Sequence, residues 1–291
     1  MDEAIEQPKA LDRAIIDLQS AAQCDASNAD PRVALAMAYA EKGDEDRAAV
    51  AFESALQLKP DHIEALRAAA TLDLRHERND QAVTKLEKLV AIALNDAQAH
   101  ANLGAAYAAT GNFGKATAQF QKSLQIHPDD ASALVGLGNV YLKKGEIEEA
   151  VNLLRRAAKA DPQAYEPRFL LGSAYNTMGR YAEALAECNE ALRLGGTGAE
   201  IYYHLARAYR GLGREEEGRK ALARFSALHS RSKDELEARR EAARLIDKAK
   251  PLVDEGKLSD AIALLEKAYR LDPKNPVALP SRKPALRYEA L

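Results

Sequence analysis

The chain has 291 residues, with 41 Lys and Arg against 44 Asp and Glu, and its net charge of −3 does not favour nucleic acid or an anionic membrane surface as a partner. Hydrophobic residues make up 47% of the chain but aromatic residues only 5%, which predicts a core of Ala and Leu in closely packed helices. No apolar run approaches the roughly 20 residues that cross a bilayer, and the acidic N-terminus lacks the apolar segment of a signal peptide. We therefore expect a cytoplasmic protein without membrane insertion.

The first complete element of the sequence is a pair of predicted helices with a turn between them in residues 29–62. Apolar and small residues recur at helical spacing on both sides of Gly43. The first helix contains Tyr39. The second carries a stripe at i, i+4 and i+7 and is followed by a proline: Ala48, Phe52, Ala55 and Pro60. Neither helix can bury its stripe alone, so the pair needs neighbours.

The same pattern returns at intervals of 34 residues. The tyrosine of the first helix recurs as Tyr107, Tyr141, Tyr175 and Tyr209, and the first stripe residue of the second helix recurs as Ala82, Ala116, Ala150, Ala184 and Gly218. The six consecutive units are 29–62, 63–96, 97–130, 131–164, 165–198 and 199–232. Gly104, Gly138 and Gly172 fall where the two helices of one unit are expected to cross, because a side chain there would hold the backbones apart.

A helix–turn–helix unit of 34 residues with these features resembles the tetratricopeptide repeat. The resemblance covers 29–232 and returns in 242–275. It implies an all-α fold, a right-handed superhelix (solenoid) of tandem helix pairs. It also implies that the first helices of the units line a concave groove that binds peptide segments.

The unit 63–96 departs most from this pattern. It has Asp73 in place of the tyrosine, Glu77 in place of the turn glycine and Leu94 in place of the closing proline. Its second helix keeps the stripe, so we expect a folded repeat. Because the large aromatic ring is missing, we also expect looser packing and local opening there.

The two ends of the array are irregular. Residues 1–28 match only the second helix of a unit, and are interpreted either as an N-terminal cap or as the remainder of a longer array. Ser232 and Glu235 form an S-x-x-E capping box, which predicts a helix from about 233 to about 254 in which Pro251 introduces a kink. Residues 233–275 would then complete a seventh unit, followed by the proline-containing tail 276–291.

The sequence lacks the groupings that catalysis or metal binding requires. The six histidines have no Cys or His partner at metal-ligand spacing, and the glycines are spread over the repeats rather than gathered in a phosphate-binding loop. We therefore predict a protein that is not an enzyme, with no cofactor and no metal site. Cys24 and Cys188 lie several units apart and cannot form a disulfide, and Cys188 is expected to pack at the stripe position of Phe120 and Leu154.

The resemblance assigns the groove residues to the stripe that points away from the packing stripe of each first helix. In the middle of the array these residues are Asn102, Ala105, Val135, Gly136, Asn139, Phe169, Leu170 and Ser173. Nearer the C-terminus they are Asn176, Tyr203, His204, Arg207 and Arg210. Small neutral residues would leave room for a ligand backbone, the asparagines would hydrogen-bond to it, and the arginines would hold acidic groups. The alternatives are that the aromatic residues pack between repeats and that the asparagines only face solvent.

Three functional hypotheses remain open on the sequence. The first is a non-catalytic scaffold that binds a peptide segment of a partner protein in the groove. Its acidic part would lie near Arg207 and Arg210, because residues 201–250 carry 13 basic and 8 acidic side chains. The second is a regulatory or substrate-docking region of a larger enzyme of the glycosyltransferase or kinase type. The third is self-association through the end repeats.

Overall fold

The computed structural model describes residues 3–273 and 275, and all regular elements in that part of the chain are α-helices. Their bounds are α1 Glu3–Cys24, α2 Asp30–Glu41, α3 Glu45–Leu58, α4 Ile63–Arg75, α5 Asn79–Ile92, α6 Ala97–Ala109, α7 Phe113–Ile126, α8 Ala131–Lys144, α9 Ile147–Ala160, α10 Tyr165–Thr177, α11 Tyr181–Arg193, α12 Ala199–Gly211, α13 Glu215–Asp254 and α14 Leu258–Leu271. The predicted all-α class, a tandem array of helix pairs, is confirmed. The chain forms two compact units, each larger than a single 34-residue repeat. From here on, the first unit is the one that ends at Gly196 and the second unit is the one that begins at Thr197.

Short turns of fixed conformation join the two helices of each pair. Gly43 and Gly145 adopt the left-handed conformation with φ of 81° and 82°, which a glycine reaches without steric cost. Glu77 holds the same place in the degenerate repeat 63–96 and also has a positive φ, 58°. The turn is therefore kept there at a cost of roughly 1–2 kcal/mol, because a Cβ in this region crowds the following carbonyl oxygen.

The middle residue of each second-helix stripe forms the centre of its repeat in the first unit. These residues are all at most 2% exposed: Phe52, Leu86, Phe120, Leu154 and Cys188. A Cβ added to Gly138 would come within 2.9 Å of Leu154, and one added to Gly172 would lie 2.3 Å from Sγ of Cys188. The crossing glycines therefore stand where the sequence predicts them. Burial raises the pKa of the Cys188 thiol to about 12, as expected of a packed, unreactive cysteine.

Phe120 contacts two successive first helices. A Cβ on Gly104 of its own repeat would lie 2.9 Å from the ring, and a Cβ on Gly136 of the next repeat would lie only 2.3 Å from Cζ. Gly136 was predicted to make room for a ligand backbone, and this stays a prediction. The structure adds that the missing side chain also makes room for the Phe120 ring.

Three tyrosines of the first helices, Tyr39, Tyr107 and Tyr175, are hydrogen-bonded to residues 20 positions earlier in the chain. The Tyr39 hydroxyl accepts a hydrogen bond from Nε2 of Gln19 at 2.8 Å, and the Tyr175 hydroxyl accepts one from Nε of Arg155 at 2.9 Å. Each bond joins the second helix of one repeat to the first helix of the next. The repeats are thus connected by a polar contact as well as by apolar packing.

In the degenerate repeat 63–96, an ionic network centred on the buried Asp73 and Lys85 takes the place of this contact. Nζ of Lys85 lies 2.7 Å from Asp73 and 2.7 Å from Glu53, which is the residue 20 positions before Asp73. Burial alone would lower the pKa of Lys85, but its hydrogen bonds to Asp73 and Glu53 outweigh that effect and raise it. Arg78 also bonds Asp73 at 2.8 Å. The position of the missing tyrosine is therefore occupied by paired charges, which the sequence analysis did not predict.

The second unit differs from the prediction in one respect. The helix expected to begin at about 233 is the continuation of α13, which runs without a break from Glu215 to Asp254. Glu235 was assigned to a capping box, but its carboxylate accepts a hydrogen bond from Nε of Arg231 at 2.9 Å, an i,i+4 pair that supports a helix through the predicted boundary. Pro251, which was predicted to introduce a kink, lies inside the last turn of this helix.

Candidate functional site

The clearest candidate site in the first unit is a concavity between α6, α8 and the start of α10. Its volume is about 460 Å³, which lies within the usual range for ligand sites. Five of the predicted groove residues line it together: Asn102, Ala105, Val135, Gly136 and Asn139. The structure thus brings the central part of the predicted groove into one wall, with Phe120 and Gly136 forming its floor.

The two asparagines of this wall differ in their hydrogen bonding. The side-chain oxygen of Asn102 accepts a hydrogen bond from Nε2 of Gln98 at 2.9 Å. The carboxamide of Asn139 is half-buried and makes no hydrogen bond within the described part of the chain. Asn139 is therefore the group best placed to meet a ligand. Lys143 stands at the rim, with Nζ 5.7 Å from the centre of the Phe113 ring.

Sequence reasoning did not single out Gln98, Lys143 and Glu166, which also line this concavity. All three lie on the same outward stripe of their first helices as the predicted residues. The whole outward stripe would therefore have included them. The selection of only some of its residues as groove residues was too narrow.

Helix α10 contributes fewer of its predicted residues. Phe169 and Ser173 are half-buried, as expected of a wall residue. Asn176 is fully buried and Leu170 is nearly so, hence neither has surface to offer a ligand. The cause is the tight packing of α10, whose buried residues extend over most of its circumference. The assignment of these two residues to the groove surface is thus not supported.

In the second unit, Tyr203, His204, Arg207 and Arg210 lie along α12. Tyr203 is largely exposed, and its ring contacts Phe225 of α13 at a centroid distance of 5.7 Å. The two arginines are exposed, and neither forms an ion pair with a carboxylate in the described residues. This surface therefore offers two cations beside an aromatic pair.

His204 is held in its neutral form. Burial lowers its pKa to about 4, and the nearby positive charge of Arg207 lowers it further, against a smaller opposing effect of Glu200. A histidine with this pKa does not change its charge near neutral pH. His204 is thus a packed polar residue of α12 rather than a switch in that pH range.

A larger concavity of about 860 Å³ lies at the loops that join successive repeats of the first unit. Its apolar lining includes Ile63, Ile92 and Leu94, which are partly exposed. Arg67 and Asp96 pair across it at 2.7 Å, so its main charged groups already satisfy each other. We regard it as a less specific surface than the wall around Asn139.

Groups for catalysis or metal binding are not evident in the described residues. Across 3–273, no cluster of three His, Cys, Asp or Glu side chains could hold a metal ion. None of the fourteen described helices combines the length and apolar composition needed to span a bilayer. What the described surface does offer is a shallow, mostly neutral wall and a short basic stretch.

Three family models with the description "Tetratricopeptide repeat" match the chain. Their matches cover residues 135–199, residues 95–163, and residues 29–62 together with 199–225. The chain belongs to the tetratricopeptide repeat family. Proteins built from such stacked units use their extended concave surfaces for binding. A comparison with curated proteins gave no significant match.

Two solved structures with TM-scores above 0.5 show the same fold, YrrB and one form of MamA. YrrB, described as "a TPR protein with an unusual peptide-binding site", has 17% sequence identity over 64% of this chain and 96% of its own, with a TM-score of 0.54. The MamA fragment "41-end" from Desulfovibrio magneticus RS-1 has 22% identity over 59% of this chain and 97% of its own, with a TM-score of 0.52. Another MamA structure, MSR-1, has 28% identity over 58% of this chain and 98% of its own, with a TM-score of 0.49.

Proposed function

We propose that this protein is a non-catalytic scaffold that holds a peptide segment of a partner protein against the concave wall of its first unit. The observation that carries the proposal is the cluster of Asn102, Ala105, Val135 and Asn139 around one concavity of about 460 Å³. The wall combines apolar surface with an amide that has no partner among the described side chains. Such a surface suits a chain that brings its own backbone hydrogen-bonding groups.

The composition of the wall sets the class of segment that it accepts. Asn139 can donate to a peptide carbonyl and accept from a peptide N–H, which reads no particular side chain. Ala105 and Val135 keep the wall low enough for a backbone to approach. The charged residues that line the concavity are Lys143, Asp161 and Glu166. The first unit would thus take an extended, largely uncharged segment.

In the second unit, the proposed contact is with acidic side chains. Arg207 and Arg210 are exposed, lack a carboxylate in the described residues, and are spaced to present both guanidinium groups from one helix. A carboxylate on the partner would form charge-assisted hydrogen bonds with them. Arg207→Glu should weaken the binding of an acidic peptide about tenfold, whereas Lys248→Glu, an equal charge change on α13, should have little effect. Equal losses in both variants would show a non-specific charge effect.

The wall is tested by selecting binders from a displayed library of random peptides. Wild type, Ala105→Arg and Ala186→Arg are used as targets. Both alanines are exposed helix residues of the first unit, but only Ala105 lines the concavity, and Arg is a good helix former at either place. Circular dichroism confirms that both variants remain folded.

We expect wild type and Ala186→Arg to select the same peptides and Ala105→Arg to lose them. If Ala105→Arg retains the same peptides with equal affinity, the concave wall is not the binding site and the proposal fails. The comparison does not depend on knowing the natural partner. It depends only on where the added side chain stands.

A further inference from the structure

The middle of α13 carries a row of solvent-facing side chains, two leucines and a histidine. Leu222 and Leu236 are 43% and 48% exposed, and His229 lies midway between them, seven residues from each. This is the heptad spacing of one face of a helix that pairs with another helix. Phe225, half-buried against Tyr203, lies at the border of the same face.

The position of Leu222 in its repeat makes this exposure unusual. Leu222 is the middle residue of the second-helix stripe, 34 residues after Cys188 and 68 after Leu154. In each of the five preceding repeats this residue is at most 2% exposed: Phe52, Leu86, Phe120, Leu154 and Cys188. The residue three positions later is also fully buried in the repeats of the first unit, as Ala55 and Ala157 show, but its counterpart Phe225 is only half-buried.

The first unit shows what covers this position in a regular repeat. The Phe120 ring lies between Gly104 of its own repeat and Gly136 at the start of the next repeat, on α8. The second cover is therefore the first helix of the following repeat, presented through a small residue. In the described residues of the second unit, α13 continues as a helix to Asp254 instead of turning into such a helix, so the cover is missing.

The charged residues around this face include three cations and two carboxylates. Arg219, Lys233 and Arg240 lie on the same side of the helix as Leu222 and Leu236, and so do Glu237 and Glu215, which stands seven residues before Leu222. Arg219 pairs with Glu216 at 3.0 Å and Lys233 approaches Glu237 at 3.9 Å, while Arg240 has no carboxylate partner in the described residues. A helix with acidic flanks would complement this face.

We propose that the open face of α13, defined by Leu222, His229, Leu236 and Arg240, docks an amphipathic helix of a partner protein with a small-residue and leucine seam and acidic flanks. That helix would occupy the place that the first helix of the next repeat takes elsewhere in the array. The site is separate from the concave wall of the first unit. It therefore goes beyond the peptide-binding function proposed above, and either one can fail without the other.

The test uses the full chain and a fluorescent synthetic helical peptide of about three heptads, with Leu and Ala on the seam and Glu on the flanks. A second peptide has the same seam with Lys in place of Glu. Anisotropy titrations are run with wild type, Leu222→Glu and Leu258→Glu. Leu258 is a matched control because it is an equally exposed leucine of the second unit, 45% exposed, at the start of α14.

We expect the acidic peptide to bind wild type and Leu258→Glu alike and to bind Leu222→Glu at least about tenfold more weakly. The basic peptide should bind none of them tightly. Equal binding by Leu222→Glu and Leu258→Glu, or equal binding of both peptides to wild type, would overturn the proposal. Sedimentation of wild type as a dimer that Leu222→Glu dissociates would also overturn it, since a second copy would then be the occupant.

Discussion

Gly136 offers the sharpest test of how the repeats are packed. Replacing it by Ala adds a Cβ that would lie 2.3 Å from Cζ and 2.5 Å from Cε1 of Phe120, both far inside van der Waals contact. The ring cannot retreat easily, since it is buried and lies against Gly104 on its other side. Overpacking of this kind costs about 1–3 kcal/mol, set against a gain of up to about 1 kcal/mol from helix propensity.

Gly114→Ala is the matched control. Gly114 is also helical, in the first turn of α7, and an added Cβ there meets no atom within 4 Å. We expect Gly114→Ala to leave the melting temperature unchanged or slightly raised. Gly136→Ala should melt about 3–10 °C below that control, because 1 kcal/mol corresponds to roughly 2–4 °C in a domain of this size.

A second background separates the clash from any other effect of the substitution. Phe120→Leu removes the ring atoms that the new Cβ would meet, and Leu is the natural residue at the equivalent Leu154. In that background Gly136→Ala should cost little or become stabilising, as a double-mutant cycle followed by thermal unfolding would show. If Gly136→Ala instead matches Gly114→Ala in the wild-type background, the packing of Phe120 between successive repeats is described incorrectly.

Three further predictions concern single positions. Glu77→Gly should stabilise the first unit by roughly 1 kcal/mol, because Gly adopts the positive φ of this turn without steric cost; a lower urea midpoint would contradict it. At pH 8, a thiol reagent should label Cys24, which is exposed, and leave Cys188 unlabelled until urea unfolds the chain; rapid native labelling of both would contradict the packed position of Cys188. The pKa of His204 is lowered to about 4 in the folded chain, so its contribution to stability is present above about pH 6.5 and is lost as the pH falls towards 4. Between pH 7 and 5 wild type should lose roughly 2 kcal/mol more than His204→Asn, and identical pH profiles of the two would refute this assignment.

The repeat architecture could be predicted because the same residue pattern recurs in each repeat at the same positions. Turn glycines such as Gly43 and crossing glycines such as Gly138 are required by backbone geometry, which a sequence displays directly. The stripe residues follow from helical periodicity. These features depend on the local residue types and on neighbouring repeats of the same kind. Both can be recognised in the sequence.

The features that could not be predicted depend on contacts between particular side chains. The replacement of a tyrosine by Asp73 suggested loose packing, and the sequence did not show that Lys85 on the next helix supplies the opposite charge. The capping-box pattern at Ser232 predicted a helix start, but a residue pair such as Arg231 and Glu235 stabilises a continuous helix equally well. A single sequence does not say which of two local interactions prevails.

In the candidate site, too, some features could be predicted from the sequence and others could not. The outward stripe groups Asn139 with Ala105 and Val135, and these three residues line one concavity, since helix geometry decides which residues share a face. It did not foresee that Asn176, on the same stripe, is fully buried. The depth of a residue on a curved stack depends on how tightly its helix packs, and that is a property of the whole assembly of neighbours.

The most direct test of the central claim is site-specific photo-crosslinking of peptides obtained from the display selection. A benzophenone amino acid replaces Lys143, an exposed residue at the rim of the concave wall, or Lys159, an exposed residue on the second helix of the same repeat. We predict that irradiation joins the selected peptide to the protein at 143 and not at 159, and that an excess of unlabelled peptide abolishes the product. Crosslinking at 159 alone, or equally at both positions, would contradict a binding site on the concave wall.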